Sequence, residues 1–203
     1  MTANAITLYR LFLTLIVIII FGQHFYINIA CVAAIALIYI LDAVDGIVAR
    51  RQDKATTFGA VFDIAADRVI ENVFWIYFTA KGYIHVWMPI AVVTRGFLTD
   101  GVRSLALTDG KTPFEMMAIP WTRALTSSRI SRFFSGFSKA LAFTFLAAIP
   151  VIKNIFSQND SVVSAFSTTS VVIAIIAVAI CLIRGFPVLV DGWKYIKGNR
   201  VNQ

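Results

Sequence analysis

Six apolar stretches separated by short polar turns leave this chain few folds to choose from. They run over about residues 8–22, 27–48, 58–80, 84–107, 133–152 and 162–183, each about long enough to cross a hydrocarbon core that takes roughly 20 helical residues. No water is available in that core, so every backbone N–H and C=O has to be satisfied inside the segment, which an α-helix does alone. Composition agrees: 59% of the residues are hydrophobic and 14% are charged, against about 25% charged in soluble domains. The expected architecture is an all-α integral membrane protein, six transmembrane helices around a cytoplasm-facing polar cavity. Residues 1–203 read as a single domain, because no Pro/Gly/Ser-rich or single-sign stretch marks a linker.

The net charge of +7 has a topological explanation. With the N-terminus in the cytoplasm, the outer loops hold Lys81 and Lys153, and the other Lys and Arg residues fall on the inner side or in the inner half of a span. The positive-inside rule then places both termini and the polar cavity on the cytoplasmic side, and the basic inner surface attracts anionic headgroups. No basic stretch is interleaved with aromatics in the manner of a nucleic-acid site, so a nucleic-acid partner is not expected. The first apolar run lacks a preceding positive cluster and a following small-residue cleavage signal, and it is expected to remain in the mature protein. Cys31 and Cys181 lie inside apolar runs and read as small hydrophobes. His24 and His85 adjoin aromatic residues at the ends of apolar segments and are assigned no role.

Against this background one short stretch stands apart. Six of the eleven acidic residues, Asp42, Asp45, Asp53, Asp63, Asp67 and Glu71, fall across the second and third spans. A carboxylate within a span costs several kcal/mol on most scales, so such groups usually face a polar cavity and mark function. Asp42 and Asp45 are spaced i,i+3, and Asp63 and Asp67 i,i+4, so each pair occupies one helical face. The polar turn from Arg50 to Lys54 is short enough for the two helices to run antiparallel with these faces converging. Four carboxylates at one point suit hard divalent cations, Mg²⁺ or Mn²⁺, with two ions plausible, and not the sulfur and imidazole ligands of structural zinc. Gly46, Ala49 and Gly59 leave room for close helix packing or for a bulky ligand against the backbone. Asp53 and Glu71 read instead as partners of Arg50, Arg51, Lys54 and Arg68.

The residues together spell Asp42-x2-Asp45-Gly46-x2-Ala49-Arg50-x8-Gly59-x3-Asp63-x3-Asp67, eight fixed positions over 26 residues. This pattern resembles the signature of the CDP-alcohol phosphotransferases, complete and with every spacing intact, and that family's six-helix membrane domain agrees with the six apolar runs. The resemblance implies that Asp42, Asp45 and Asp63 bind the metals, and that Asp67 contacts one metal and serves as base toward the acceptor hydroxyl. It implies that Gly46 and Arg50, with Ala49 and Gly59 beside them and Thr56 six residues beyond the arginine, approach the CDP portion of the donor. Asn4, Thr7 and Arg10 resemble the N-x2-T-x2-R element that opens the first helix in many members and lies near the donor. A homodimer is expected on the same ground. The implied reaction uses metal charge on the donor pyrophosphate and a carboxylate base on the acceptor alcohol.

The fourth span is interrupted by Arg95, Thr99, Asp100 and Arg103, with Arg95, Thr99 and Arg103 on one face at i, i+4 and i+8. Guanidinium groups bind phosphate in bidentate fashion, so Arg95 and Arg103, joined by Lys139 at the inner end of span five, are candidates to hold a phosphate on the acceptor. The stretch from Thr94 to Arg103 is similar to the A-R-E-F and G-L-R elements of phosphatidylglycerophosphate synthases, with Gly96 in place of the usual glutamate. The expected function is therefore transfer of a phosphatidyl group from CDP-diacylglycerol to a small alcohol. Glycerol 3-phosphate is the first choice of acceptor, and inositol phosphate or another small alcohol follows. A UbiA-type prenyltransferase would leave Gly46, Ala49 and Arg50 unexplained. A metal-ion transporter would need carboxylates spread across the bilayer, whereas these gather at one end. The basic, amphipathic segment 111–132 reads as lying on the inner membrane surface or as a packed loop.

Overall fold

The computed structural model of this chain describes residues 3–51, 57–108 and 128–198, with side chains described for most of them. Thr56 and most of segment 111–132 lie outside the described residues, and the side chains of Asn4, Asp45, Gly46, Ala49 and Arg50 lie outside the described side chains. Six helices are described, and no strand is found among the described residues: α1 (Ala3–Ile20), α2 (Phe25–Arg51), α3 (Thr57–Ala80), α4 (Trp87–Thr108), α5 (Arg129–Ile155) and α6 (Asp160–Gly198). Each expected apolar run falls largely within one helix.

The pattern along α1 shows which solvent selected these helices. Thr7, Arg10, Thr14, Val17 and Phe21 recur every three or four residues, share one face and are buried. Leu8, Phe12, Leu15, Ile16 and Ile19 cover the opposite side and are exposed. Hydrophobic side chains outside and polar ones inside is the arrangement a hydrocarbon surrounding favours, because buried polar groups there find partners only within the protein. Gly22, just past α1, has a φ of 91°, a left-handed conformation that costs glycine little. Its N–H donates to Asn28 Oδ1 at 2.7 Å and ties the start of α2 to the end of α1.

Three helices are long and apolar enough to cross a membrane by length and composition: α2 over Phe25–Asp42, α5 over Ile130–Ile155 and α6 over Asp160–Gly192. α1 contributes a shorter apolar segment, Ala5–Ile20. The difference from six equivalent spans has a chemical cause. α3 carries Asp63, Asp67, Arg68 and Glu71 and α4 carries Arg95, Asp100 and Arg103, so charge interrupts their apolar runs. At 1.5 Å per residue the 24 residues of α3 still extend about 36 Å, more than a hydrocarbon core of about 30 Å.

The chain divides into two compact units, and α5 and α6 each contribute to both. One comprises residues 1–85 and 139–174, the other 86–138 and 175–203. In the first, α1 packs on both α2 and α3. Its core is aromatic: the Phe143 ring lies 4.8 Å from Trp75, 5.3 Å from Phe74 and 5.9 Å from Tyr39 between centroids, in the offset and edge-on geometries that ring quadrupoles prefer. On α3, Ala66, Ile70, Phe74 and Phe78 form the buried stripe at steps of four. In the second unit helices approach one another over glycine, and a Cβ at Gly192 would overlap the Val102 side chain.

Gly192→Leu is therefore expected to destabilise the protein by about 1–3 kcal/mol, the usual cost of overpacking. Gly136→Ala, where an added Cβ meets nothing within 4 Å, is expected to be neutral or to stabilise by up to about 1 kcal/mol through helix propensity. Thermal unfolding of the two variants in detergent, compared with wild type, checks the pair.

Candidate active site

The first unit gathers groups that are far apart in sequence. Arg10, on the buried face of α1, lies 2.8 Å from Asp42 Oδ1 of α2, 3.8 Å from Asp63 Oδ1 and 2.9 Å from Asp67 Oδ1 of α3. The Asp67 contact is a hydrogen bond donated by the guanidinium. One turn earlier, Thr7 Oγ1 donates to Asp63 Oδ1 at 3.2 Å. Local structure explains why one helix reaches both others: Thr7 and Arg10 are i,i+3, and Asp63 and Asp67 are i,i+4, so each pair presents a single face.

Exposure separates the two sides of this cluster. The Arg10 side chain is 2% exposed, whereas those of Asp42, Asp63 and Asp67 are 37%, 46% and 44% exposed. The guanidinium is the floor and the carboxylates are the open side. Two unit charges about 4 Å apart interact by about 4 kcal/mol at an effective dielectric of about 20, so carboxylates gathered this closely require positive charge. Arg10 contributes one such charge against three negative ones and leaves the cluster net negative. Among the described residues no three His, Cys, Asp or Glu side chains are grouped closely enough to hold a metal ion as they stand, and Asp45 is not among the described side chains. The donor set, carboxylate oxygen on an accessible and net negative surface, fits hard divalent cations.

Glu71 has a different role. It is buried, accepts a hydrogen bond from Lys139 Nζ of α5 at 2.7 Å and has Arg68 Nη1 at 4.0 Å. Lys139 thus reaches a carboxylate of its own unit. Gly59 lies in the first turn of α3, one turn before Asp63.

The second unit holds a group of arginines. Arg95 of α4 runs against the backbone of α6 at Gly185, where an added Cβ would overlap the arginine side chain. Arg184, the residue before that glycine, lies within electrostatic reach of Arg95, Arg103 and Arg132. The Nε atoms of Arg95 and Arg184 are buried with no hydrogen-bond partner among the described residues. Arg103 pairs with Asp100 at 3.5 Å, and the Thr99 hydroxyl donates back to the Gly96 carbonyl at 2.9 Å. Sequence reading missed Arg184. The available signal was an arginine at the end of an otherwise apolar run, directly before a glycine.

The family described as CDP-alcohol phosphatidyltransferase matches residues 1–193. A Mycoplasma pneumoniae protein named CDP-diacylglycerol--glycerol-3-phosphate 3-phosphatidyltransferase is 39% identical over 67 residues, 33% of this chain and 30% of that protein. A Rickettsia typhi protein of the same name is 29% identical over 121 residues, 57% of this chain and 66% of that protein. The chain thus spans less than a third of the length of the first relative and about two-thirds of the second.

The Glu71–Lys139 pair generates a stability test. Lys139→Met removes the nearest cation from a buried carboxylate and is expected to destabilise by about 3 kcal/mol, in line with broken buried pairs. Adding Glu71→Leu to that variant is expected to restore most of the loss, since an apolar pair leaves no uncompensated charge. The double-mutant comparison is read from thermal unfolding in detergent.

Proposed function

The chain belongs to the CDP-alcohol phosphatidyltransferase family, and from that premise we propose that it transfers the phosphatidyl group of CDP-diacylglycerol to glycerol 3-phosphate, giving phosphatidylglycerophosphate and CMP. The observation that carries the reading is the convergence of Asp42, Asp63 and Asp67 on one buried guanidinium. It brings three of the four motif aspartates to one accessible point. The names of the Mycoplasma and Rickettsia relatives support the choice of acceptor.

In this reading Asp42, Asp45, Asp63 and Asp67 hold two Mg²⁺ or Mn²⁺ ions. The chemistry such ions supply is neutralisation of charge on the donor pyrophosphate and on the departing CMP. Gly46, Ala49, Arg50, Thr56, Gly59 and Asn4 are assigned to the CDP portion, where small residues admit the nucleotide and the arginine meets phosphate. Asp67 takes the proton of the acceptor hydroxyl. The hydroxyl oxygen bonds to the phosphorus that carries diacylglycerol, the bond from that phosphorus to the bridging pyrophosphate oxygen breaks, and CMP leaves with the electron pair. Most of the rate comes from orientation and from charge placed in advance.

The acceptor phosphate is assigned to the basic cluster of the second unit, Arg95 and Arg184 foremost, with Arg103 beside them. The two buried Nε donors without partners are groups that an oxyanion would satisfy. Lys139, already bonded to Glu71, contributes charge at most. The enzyme is proposed to work as a homodimer of six-span subunits in the bilayer, with both termini and the reaction centre on the cytoplasmic side as the distribution of Lys and Arg favours.

Release of CMP from CDP-diacylglycerol, measured with glycerol 3-phosphate, inositol phosphate and neutral alcohols in turn, tests the proposal. Glycerol 3-phosphate is expected to be preferred. Arg95→Ala or Arg184→Ala is expected to raise its KM by about 10- to 100-fold, the equivalent of the roughly 1.5–3 kcal/mol of a charged hydrogen bond, with a smaller effect on donor KM. A preferred neutral alcohol would overturn the assignment of the arginines.

A second expectation concerns Asp67. Asparagine keeps the size and one carbonyl oxygen but cannot take a proton, so Asp67→Asn is expected to retain CDP-lipid binding at saturating Mn²⁺ while turnover falls by about 10²- to 10⁴-fold. Turnover of wild type is expected to vanish in excess chelator and return with Mg²⁺ or Mn²⁺. Near-normal turnover by the asparagine variant would pass the role of base to another group.

A further inference from the structure

Arg10 is among the largest fully buried side chains of the described residues, and it is buried where the carboxylates are partly exposed. The guanidinium reaches Asp42 and Asp67 at 2.8 and 2.9 Å through different nitrogens, Nη1 and Nη2, and it meets each at Oδ1. Asp42 belongs to α2 and Asp67 to α3, so one planar fork on α1 spans two helices. Thr7 adds a hydroxyl donor to Oδ1 of Asp63. We infer that Arg10 and Thr7 form a polar floor that assembles the carboxylates of α2 and α3 before a divalent ion arrives, positioning the metal ligands without touching the donor nucleotide. This inference rests on the reading of the aspartates as metal ligands.

Three features of the arrangement favour this role. First, the floor is buried while the carboxylates are partly exposed, so an ion and a nucleotide approaching the carboxylates' accessible surface meet those groups and not the guanidinium. Second, the contacts from Arg10 fall on Oδ1 of each carboxylate, as a hydrogen bond from Nη2 to Asp67 and as ion pairs to Asp42 and Asp63. Third, carboxylates on different helices repel one another, and without a cation beneath them they would separate toward the exposed side. One positive charge placed equally close to two of them, and only 1 Å farther from the third, opposes each repulsion. Thr7 Oγ1 and Arg10 Nη2 donate hydrogen bonds to these carboxylates, whereas Arg10 Nε and Nη1 have no hydrogen-bond partner among the described residues.

The opposite role, a competitor that occupies the metal position and must leave, makes different demands. A competing guanidinium would be replaced by any cation of similar charge without loss to metal affinity. The positioning role depends on the fork itself, because an ammonium is a point charge and cannot bridge Asp42 and Asp67 through two fixed nitrogens. Arg10→Lys holds the charge constant and changes only the bridge.

The experiment measures Mn²⁺ binding to the purified full chain in detergent, from the electron paramagnetic resonance signal of free Mn²⁺, for wild type, Arg10→Lys and Thr7→Val. Wild type that binds no Mn²⁺ would sink the metal reading itself, and the inference with it. Given wild-type binding, Arg10→Lys is expected to weaken Mn²⁺ by about tenfold, equivalent to about 1.4 kcal/mol, and Thr7→Val by about threefold. The donor KM at saturating Mn²⁺ is expected to move less than the Mn²⁺ constant, because bound ions then hold the carboxylates together themselves. Unchanged or tighter Mn²⁺ binding by Arg10→Lys would overturn the positioning role, as would a donor KM that rises while Mn²⁺ affinity stays put. Should Arg10→Lys fail to yield folded protein, Thr7→Val, nearly isosteric, decides alone, and Mn²⁺ binding equal to wild type would overturn the floor.

Discussion

A guanidinium buried beneath three carboxylates is the interaction on which the N-terminal unit depends. Arginine stays charged in any protein surrounding, so burying Arg10 obliges the fold to bring anions to it. Asp42, Asp63 and Asp67 are those anions, and meeting this requirement joins α1 to α2 and α3 at one end. At the other end of α1 the same face turns apolar, with Val17 and Phe21 buried, and the aromatic core around Phe143 takes over. One helix face thus serves a charged site and a hydrocarbon core in succession. The cluster is left net negative and partly open, which is the condition a divalent cation needs.

Hydrocarbon as solvent changes how the rest of the structure is stabilised. Large apolar side chains on α1, α4 and α5 point outward, and burying them against one another would gain little relative to lipid tails, so close packing and polar contacts carry the internal stability. Glycine at 185 and 192 on α6 lets Arg95 and Val102 of α4 lie against its backbone. Buried Glu71 is paired with Lys139 within its own unit. α3 and α4 give up apolar continuity to carry these groups, and the same residues that weaken them as spans are the ones proposed to do chemistry.

Each unit carries a charged cluster of its own. The first presents carboxylates over Arg10, and in the second Arg184 lies within electrostatic reach of Arg95, Arg103 and Arg132. In the proposed reaction the former suits cations and the pyrophosphate they neutralise, and the latter suits a phosphate carried on the acceptor.

Much of the design was legible in the order of residues. Apolar run length announced six helices, and the spacing of Asp42 with Asp45 and of Asp63 with Asp67 put each pair on one face, because periodicity is a property of neighbouring residues. Thr7 and Arg10 were singled out by a short motif, and Arg95 by its depth in an apolar run. What remained hidden was which face meets which. Arg10 and Asp67 are 57 positions apart, Thr7 and Asp63 56, and Lys139 and Glu71 68. No local rule assigned Lys139 to Glu71 and not to a ligand, or set Arg184 among Arg95, Arg103 and Arg132. Helix periodicity is dictated by backbone hydrogen bonds between residues four apart, and so it is written in the sequence by itself. The partner of each buried charge was decided by tertiary packing, since electrostatic satisfaction depends on distance through space, which only the assembled helices define.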